Sequence, residues 1–378
     1  MLTARGIALL VAGVTLVGVG LGFGYLELTV LGCGALAAFA GSLLWAVWRP
    51  RLEVRREVHP ERVVRGEPCG AVVHVRNAAR WRGASLIGQD QVGAATVTVP
   101  LLRLGPGKET STQYAIPTAH RGVVDVGPLR ISRRDPLDVV RATREYGEPA
   151  RVWVHPRVHP IHTTPVGTAR SLDGIVDKVA HGNITFHALR EYVAGDDLRH
   201  VHWRTSAHIG ELMVREHVDT SLPRIVVFLD NRADVQDGDS FEHAVEAAAS
   251  ILMAVLQAGL NVTLHLASGI PLEGSAGHGA RPFLDTLAEA RLAGTATLDE
   301  VAQRLRHRRV GDTLIAFTGS PDQGALEAIA ALRDVYPSIV LGMIGHQQAG
   351  TSTMAGLLVL SAADGADFAA AWDGLGAW

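Results

Sequence analysis

Two uncharged apolar runs, separated by only two residues, dominate the first fifty positions of the chain. They cover residues 6–25 and 28–48, with Leu26 and Glu27 between them. Each run has about the length that a helix needs to cross roughly 30 Å of hydrocarbon. The pair therefore predicts a two-helix transmembrane hairpin over residues 1–50. A secretory signal peptide is the alternative for the first run, but its apolar part is usually shorter, and here a second run follows at once.

The charges that flank the hairpin predict its orientation. Arg5 precedes the first run, and six arginines fall within residues 49–65. Positive residues mark cytoplasmic flanks, so both outer ends are expected in the cytoplasm and the Glu27 turn outside. The predicted localisation is the inner (cytoplasmic) membrane, as a multi-pass protein with its soluble domains in the cytoplasm. The two cysteines, Cys33 and Cys69, give no disulfide framework.

Small residues recur within the first run at a spacing of four. Gly18 with Gly22, and Gly20 with Gly24, have the small-xxx-small pattern that lets membrane helices approach closely. These faces could pair with each other or with other chains, so the oligomeric state stays open. The formal net charge is −3, and no nucleic-acid partner is expected because there is no basic excess to meet phosphates.

Residues 51–150 have the period of two that is typical of strands. The runs RLEVRREV, AVVHVRN, ATVTVPLL, GVVDVGPLRIS and RVWVHP are β-branched or alternate, and Gly, Pro and Asn separate them. Strand signals about ten residues apart predict an antiparallel β-sandwich of immunoglobulin-like type.

From residue 222 to 378 short apolar runs alternate with helical segments. RIVVFLDN, NVTLHLAS, DTLIAFTG, SIVLGMIG and GLLVLSAAD read as buried strands, and FEHAVEAAASILMAVLQAGL as a long helix. Buried strands without alternation, joined by helices, predict an α/β doubly wound, mostly parallel sheet. The composition of the stretch PLEGSAGHGARP predicts a surface loop there.

A polar segment links these two regions, within residues 151–221. After Gly195 the sequence resembles a helix start that Asp196 or Asp197 could cap and that LRHVHWRTSAH would continue. ELMVREHV then returns to strand-like alternation. The segment has near-equal numbers of positive and negative side chains, which favours ion pairs among them. Truncating Arg190 or Asp196 would leave the partner's charge unpaired and is expected to lower the melting temperature of the protein. Because the motif could instead be a recognition surface, both roles stay open. Its candidate residues are Arg190, Glu191, Tyr192, Gly195, Asp196, Asp197, Arg199, His202, Trp203, Ser206, Arg215 and Glu216.

No catalytic residue and no cofactor is indicated by the motifs. His200 and His202 are two apart, which on a helix places them on different faces and unable to share one ion. Pro156 and Pro160 exclude a helix for HPRVHPIH. The chain has no HExxH, CxxC, GxSxG or GxxxxGK[ST] motif.

The polar segment also carries a family resemblance. FHALREYVAGDDLRHVHWRTSAHIGELMVRE resembles the signature of the bacterial family called domain of unknown function 58, and RGVVDVGPLRISRRDPLDVVR resembles the stretch that precedes it. The family usually has Asp-Pro-Phe-Gly where this chain has Asp135, Pro136, Leu137 and Asp138. The resemblance implies a two-helix anchor, a β domain and a C-terminal domain similar to von Willebrand factor type A. It also implies a MoxR-type AAA+ ATPase as partner, since members are often encoded beside one.

Type A domains often bind Mg²⁺ at an Asp-x-Ser-x-Ser turn after the first strand. Here Asp230 is followed by Arg232 and Asp234 at the serine positions. An arginine in the site would repel a divalent ion, so we expect a degenerate metal site. The alternative is that Asp230, Asp234 and Asp237 still hold an ion, with Arg232 turned outward.

These features predict a membrane-anchored, cytosol-facing adaptor or scaffold that is not an enzyme. Its membrane contact is residues 6–48, and its expected partner is the MoxR-type ATPase, in assembly or envelope-related processes. The alternatives are a divalent-metal-dependent enzyme or ligand-binding module that uses the Asp230 turn, and an adhesion or peptide-binding module outside the cytoplasm.

Overall fold

The protein forms two compact units, Met1–His155 and Pro156–Trp378. A computed structural model describes residues 2–47, 52–79, 83, 85–101, 104–135, 137–163, 184–191, 202–219, 224–275, 279–294, 297–307, 312–321, 323–346 and 350–375. Of residues 184–191 and 214–219 it describes the backbone. The finer boundaries at residues 50, 150 and 221 stay predictions.

The first unit begins with two helices, α1 (Ala4–Phe23) and α2 (Leu26–Val47). Gly24 ends α1 with φ of 71°, a left-handed conformation that glycine adopts without strain. Only one further residue precedes α2, so the two helices form a tight hairpin. Both are long and apolar enough to cross a membrane, which indicates membrane association.

The glycines of α1 differ in what they face. A Cβ at Gly20 would lie 2.7 Å from a backbone nitrogen of α2, and one at Gly32 would lie 2.7 Å from a backbone nitrogen of α1. Gly18, Gly22 and Gly24 have no atom within 4 Å of that position. The glycines that face a neighbour are therefore two helical turns apart rather than one. The buried glycines of α1 are Gly6, Gly13 and Gly20.

Two β-sheets follow the hairpin and share one hydrophobic core. One sheet has the order β1-β3-β6, and the other has the order β2-β10-β7-β4-β8-β9 with β5 on β4. The alternation in β3 places every second side chain in this core. The strands are β1 (Leu52–His59), β2 (Arg62–Val64), β3 (Cys69–Asn77), β4 (Leu86–Val92), β5 (Ala95–Val99), β6 (Glu109–Ile116), β7 (Gly122–Val126), β8 (Leu129–Arg134), β9 (Arg141–Tyr146) and β10 (Ala150–His155).

A buried ion pair joins the two sheets, and the sequence did not predict it. Arg56 of β1 places Nη1 3.1 Å from Oδ2 of Asp90 in β4, and their side chains are 4% and 0% exposed. The hydroxyl of Tyr114 in β6 donates to the same carboxylate. Burial, and then the bond to Asp90, raise the pKa of Tyr114 well above its usual value.

In the second unit a seven-stranded sheet has the order β15-β14-β13-β16-β17-β19-β18. Its five inner strands are parallel, and β15 and β18 are antiparallel edges. The elements are β13 (Arg224–Leu229), α4 (Gly238–Gln257), β14 (Asn261–Leu266), β15 (Leu272–Gly274), α5 (Arg281–Glu289), α6 (Leu298–His307), β16 (Thr313–Thr318), α7 (Gln323–Ala330), a 3-10 helix (Ala331–Asp334), β17 (Ser338–Ile344), β18 (Gly350–Met354), β19 (Leu357–Ala362) and α8 (Gly365–Asp373).

Strand β13 shows why the sheet is covered on both faces. Ile225, Val227 and Leu229 lie in a core with residues of α4, α5 and α8, whereas Val226 and Phe228 lie in a second core with residues of α6 and α7. The structure confirms helices on both faces of a mostly parallel sheet. The loop predicted at 271–282 is wrong in part, because β15 lies within it and pairs with β14.

The polar segment forms a separate two-stranded antiparallel sheet of β11 (Ile184–Glu191) and β12 (Met213–Asp219), with the helix α3 (Trp203–Ile209) between them. The predicted strand over ELMVREHV is present. The predicted helix start at Asp196 or Asp197 lies outside the described residues; the helix α3 begins at Trp203, with His202 as its N-cap. The His202 ring accepts from the Thr205 backbone N–H at 3.2 Å, which satisfies one of the free donors of the first turn.

Candidate functional site at the carboxyl ends of the parallel strands

The centre of the seven-stranded sheet is where its strand order reverses. From β13 the chain proceeds to β14 on one side and later to β16 on the other. In open α/β sheets, ligands bind at this switch point, in the crevice beyond the carboxyl ends of the strands. Asp230 directly follows β13, and Thr318 ends β16, so both lie at this crevice.

An arginine from the turn after β13 occupies the crevice. Arg232 places Nε 2.9 Å from Oδ1 and Nη2 2.9 Å from Oδ2 of Asp230, which is a two-pronged contact. The Asp230 side chain is 2% exposed and that of Arg232 is 10% exposed. The guanidinium therefore faces inward, unlike in the alternative where Arg232 turns outward to leave room for an ion.

The carboxylate of Asp230 has no remaining acceptor capacity. Oδ1 accepts from Nε and the backbone N–H of Arg232, the latter at 3.3 Å. Oδ2 accepts from Nη2 of Arg232 and from the hydroxyl of Thr318 at 3.1 Å. A carboxylate offers about four lone-pair sites, and all four are used here. A cation would have to displace Arg232 before it could bind Asp230.

Neighbouring polar residues fix the loop that carries this pair. Asn231 is 3% exposed, and its amide donates to the hydroxyl of Ser268 and to the carbonyl of Arg291, both at 2.8 Å. Gln236 donates to the carbonyl of Asp230 at 2.5 Å. A Cβ at Gly319 would come within 2.9 Å of the Gln236 side chain, so the loops after β13 and β16 approach closely. Sequence analysis missed these supports, because their partners are distant in the chain.

The other acidic residues of the turn have different surroundings. Asp234 is 72% exposed, and its carboxylate lies 3.8 Å from Nη1 of Arg232. Asp237 is the N-cap of α4 and accepts from the backbone N–H of Ser240 at 2.7 Å. That bond, and the bond from the Ser240 hydroxyl, lower the pKa of Asp237. Within the described part of the chain, no group of three or more His, Cys, Asp or Glu residues is placed to hold a metal ion.

The signature residues divide into three sets. Arg190 and Glu191 end β11 and pair in register with Val214 and Met213 of β12, and Arg215 and Glu216 are also in β12. Their side chains are not described, so the predicted ion pairs stay predictions. The residues that lie outside the described ranges altogether are Tyr192, Gly195, Asp196, Asp197 and Arg199.

The third set connects α3 to the start of β12. Ser206 is 8% exposed, and its hydroxyl accepts from the backbone N–H of Met213 at 2.8 Å and donates to the carbonyl of His202 at 3.2 Å. The backbone N–H of His202 donates to the carbonyl of Met213 at 2.8 Å. Trp203 projects from this fixed frame and is 65% exposed, and Leu212 is 42% exposed. The arrangement presents an aromatic side chain on a braced backbone.

Two histidines of the HPRVHPIH stretch, His159 and His162, contact helices within the second unit. Nε2 of His159 lies 3.3 Å from Oε2 of Glu246 in α4, and Nδ1 of His162 lies 2.8 Å from Oδ2 of Asp373 in α8. Burial of Asp373 opposes its ionisation, but bonds from His162 and from the backbone of Thr163 outweigh this and lower its pKa. These histidines tie the segment after β10 to the helices α4 and α8.

Comparison with known families gives one match within the second unit. Residues 188–335 match DUF58. The family is described as "Protein of unknown function DUF58", and the match supports the resemblance read from the signature segment. It covers the β11–β12 sheet and the Asp230 turn, so both candidate regions lie within the matched residues.

No curated protein matches the chain. Among solved structures, the CARDB domain of the PF1109 protein from Pyrococcus furiosus, in complex with di-metal ions, is 21% identical, with 28% of this chain and 93% of that chain covered and a TM-score of 0.20. The alkylpurine DNA glycosylase AlkC of Pseudomonas fluorescens is 12% identical, with 34% and 39% covered and a TM-score of 0.22. A beta-glucosidase from Listeria innocua is 13% identical, with 28% and 16% covered and a TM-score of 0.18.

Proposed function

We propose that this protein is a membrane-anchored adaptor whose soluble domains face the cytoplasm and bind a MoxR-type AAA+ ATPase in assembly or envelope-related processes. In this proposal α1 and α2 span the inner membrane, the β-sandwich is of immunoglobulin-like type, and the second unit is similar to von Willebrand factor type A domains. The ATPase partner is what the resemblance to the domain of unknown function 58 family implies.

The observation that carries the proposal is the Asp230–Arg232 pair. The crevice in which a sheet of this order would bind a ligand contains the chain's own guanidinium, and Asp230 has no acceptor site left. A metal-dependent reaction needs an open coordination position, and this arrangement does not provide one. It therefore favours a binding protein over an enzyme that uses the Asp230 turn.

In this proposal, the exposed side chain of Trp203 on α3 is part of the surface that contacts the ATPase. Tryptophan is enriched among the residues that dominate binding energy at protein interfaces. Trp203 is 65% exposed, whereas the backbone beneath it is held by Ser206. A partner can therefore bury a large aromatic side chain with little additional ordering of the frame.

The test measures binding of the full-length protein, reconstituted in lipid nanodiscs, to an immobilised MoxR-type ATPase from the same organism. We expect Trp203→Ala to weaken the affinity at least tenfold, which corresponds to about 1.4 kcal/mol. Ile270→Ala is the matched control, because Ile270 is also a large apolar residue and is 89% exposed. Equal affinities of the Trp203→Ala and Ile270→Ala variants would contradict the proposed surface, and no binding by the unaltered protein would contradict the adaptor function.

A further inference from the structure

The turn between β8 and β9 is fixed to the beginning of α1. The backbone N–H of Thr3 donates to the carbonyl of Val139 at 3.0 Å, and Leu2 forms an antiparallel bridge with Val140. Gly6 lies against the same turn, since a Cβ there would come within 3.1 Å of the Val139 side chain. The turn backbone thus runs beside the first turn of the first apolar helix.

The end of β8 and the turn that follows it are also fixed to the end of α2. Nη2 of Arg133 donates to the carbonyl of Trp45 at 2.6 Å, and its guanidinium carbon lies 3.8 Å from the centroid of the Trp45 ring. Ser42 donates to the carboxylate of Asp135. Both helix ends that border the β-sandwich therefore contact one short segment of it.

The backbone donors of the turn are satisfied within the turn itself. The Asp135 carboxylate accepts from the N–H groups of Val140 at 2.8 Å and Leu137 at 3.3 Å, and also from that of Val139. The N–H of Asp138 donates to the Asp135 carbonyl at 3.0 Å. Unsatisfied backbone groups are what normally keep irregular segments away from lipid. In this turn the donors are already paired, while the apolar side chain of Leu137 is 54% exposed.

We propose that this turn is a second membrane contact, in which Leu137 inserts among phospholipid chains beside the base of the hairpin. The inference rests on the membrane anchor proposed above. A helix of 20 residues is about 30 Å long, which matches the hydrocarbon thickness, so the N-cap Thr3 lies at its boundary. Leu137 is two residues from Val139, so its Cα lies within about 7 Å of that of Val139, whose carbonyl accepts from the backbone N–H of Thr3 at 3.0 Å.

Charge has a minor role in the proposed contact. Arg5 lies 3.6 Å from the carboxylate of Asp138, and Arg133 lies beside Asp135, so opposite charges are close together around Leu137. The attraction to lipid is then mainly burial of the leucine side chain, and the contact is expected to persist in high salt. Arg5 is 77% exposed, and a long arginine side chain near a helix end can extend to the headgroup layer.

The test uses the full-length protein in liposomes, with an environment-sensitive fluorophore on a single introduced cysteine. Leu137→Cys reports the turn and Val14→Cys reports the middle of α1. Glu148→Cys reports a position two residues beyond the far end of β9, and that six-residue strand is roughly 20 Å long. All three variants also carry Cys33→Ala, which removes the exposed native cysteine. The Cys33→Ala protein without an introduced cysteine is the control that verifies that the fluorophore does not label the buried Cys69.

Nitroxide lipids labelled near the headgroup or near the chain end distinguish the outcomes. We expect position 137 to be quenched mainly by the headgroup-proximal nitroxide in low and high salt, position 14 mainly by the chain-end nitroxide, and position 148 by neither. Quenching at 14 with none at 137 would overturn the turn contact and leave the anchor in place. No quenching at 14 would overturn the anchor itself, and the turn contact with it.

Discussion

Removing Asp230 while keeping Arg232 should destabilise the second unit strongly. The Arg232 side chain is 10% exposed, so Asp230→Ala leaves a nearly buried guanidinium without its carboxylate. Breaking one side of a buried ion pair costs about 3–5 kcal/mol. That corresponds to roughly a 100- to 4,000-fold increase in the unfolding equilibrium constant. Replacing both residues with apolar ones should cost far less, because no buried charge is then stranded.

Hydrogen exchange of the full-length protein is the suitable assay, read at the amides of β13 and β16. A local probe is needed because a chain with two units does not unfold as a single two-state system. We expect exchange to accelerate by the factors above in Asp230→Ala, and by much less in the double variant. If the changes in unfolding free energy of the two single variants add up to that of the double variant, Asp230 and Arg232 are not coupled and the reasoning is refuted. A cost below about 1 kcal/mol for Asp230→Ala would be typical of an exposed ion pair and would contradict a buried one.

A divalent ion should rescue the complementary variant. Arg232→Ser leaves the Asp230 carboxylate buried without its cation, and Mg²⁺ at 100 times its dissociation constant would restore about 2.7 kcal/mol. The same ion should leave exchange in the unaltered protein unchanged, because Arg232 occupies the carboxylate. Protection of the unaltered protein by Mg²⁺ would contradict the account of the crevice.

Three further outcomes follow from the structure. Asp90→Ala should cost about 3–5 kcal/mol in the β-sandwich, because Arg56 is stranded between the sheets, and hydrogen exchange at the amides of β3 in the full-length protein would measure it. Gly20→Ala should loosen the hairpin whereas Gly22→Ala should not, since only the first Cβ meets α2; inter-helix distances from spin labels would distinguish them. The pKa of Asp373 is lowered by folding, so its contribution to stability is present above about pH 4 and is lost as the pH falls further. The protection of the α8 amides, measured relative to their intrinsic exchange rates at each pH, should therefore fall in acid, and Asp373→Asn should remove that part of the pH dependence.

A buried face identified several strands in the sequence, although β4, which alternates between buried and more exposed positions, was missed. β3 alternates, and β13 and β16 are continuous apolar runs, so their periods identify them. β9 and β18 were missed because neither has a buried face, and β18 is exposed at every position. β15 lies in a stretch rich in glycine, where composition favours a loop and only pairing with β14 makes a strand.

The candidate site was predictable in position but not in geometry. Asp230 was identified through the resemblance to type A domains, in which an Asp-x-Ser-x-Ser turn follows the first strand. The geometry of the site depends on contacts that the local sequence does not show: Thr318, which is 88 residues beyond Asp230, donates to the Asp230 carboxylate, and Asn231 donates to Ser268. The buried Arg56 was also invisible, because it lies next to Arg55, and only pairing in the sheet decides which of the two faces inward.

The adaptor function is tested most directly by isolating the full-length protein from its native membranes in mild detergent, with and without ATP, and identifying what accompanies it by mass spectrometry. The account predicts recovery of a MoxR-type ATPase whose yield depends on nucleotide and falls in the Trp203→Ala variant but not in Ile270→Ala. Isolation of the protein without such an ATPase in either nucleotide condition would contradict it.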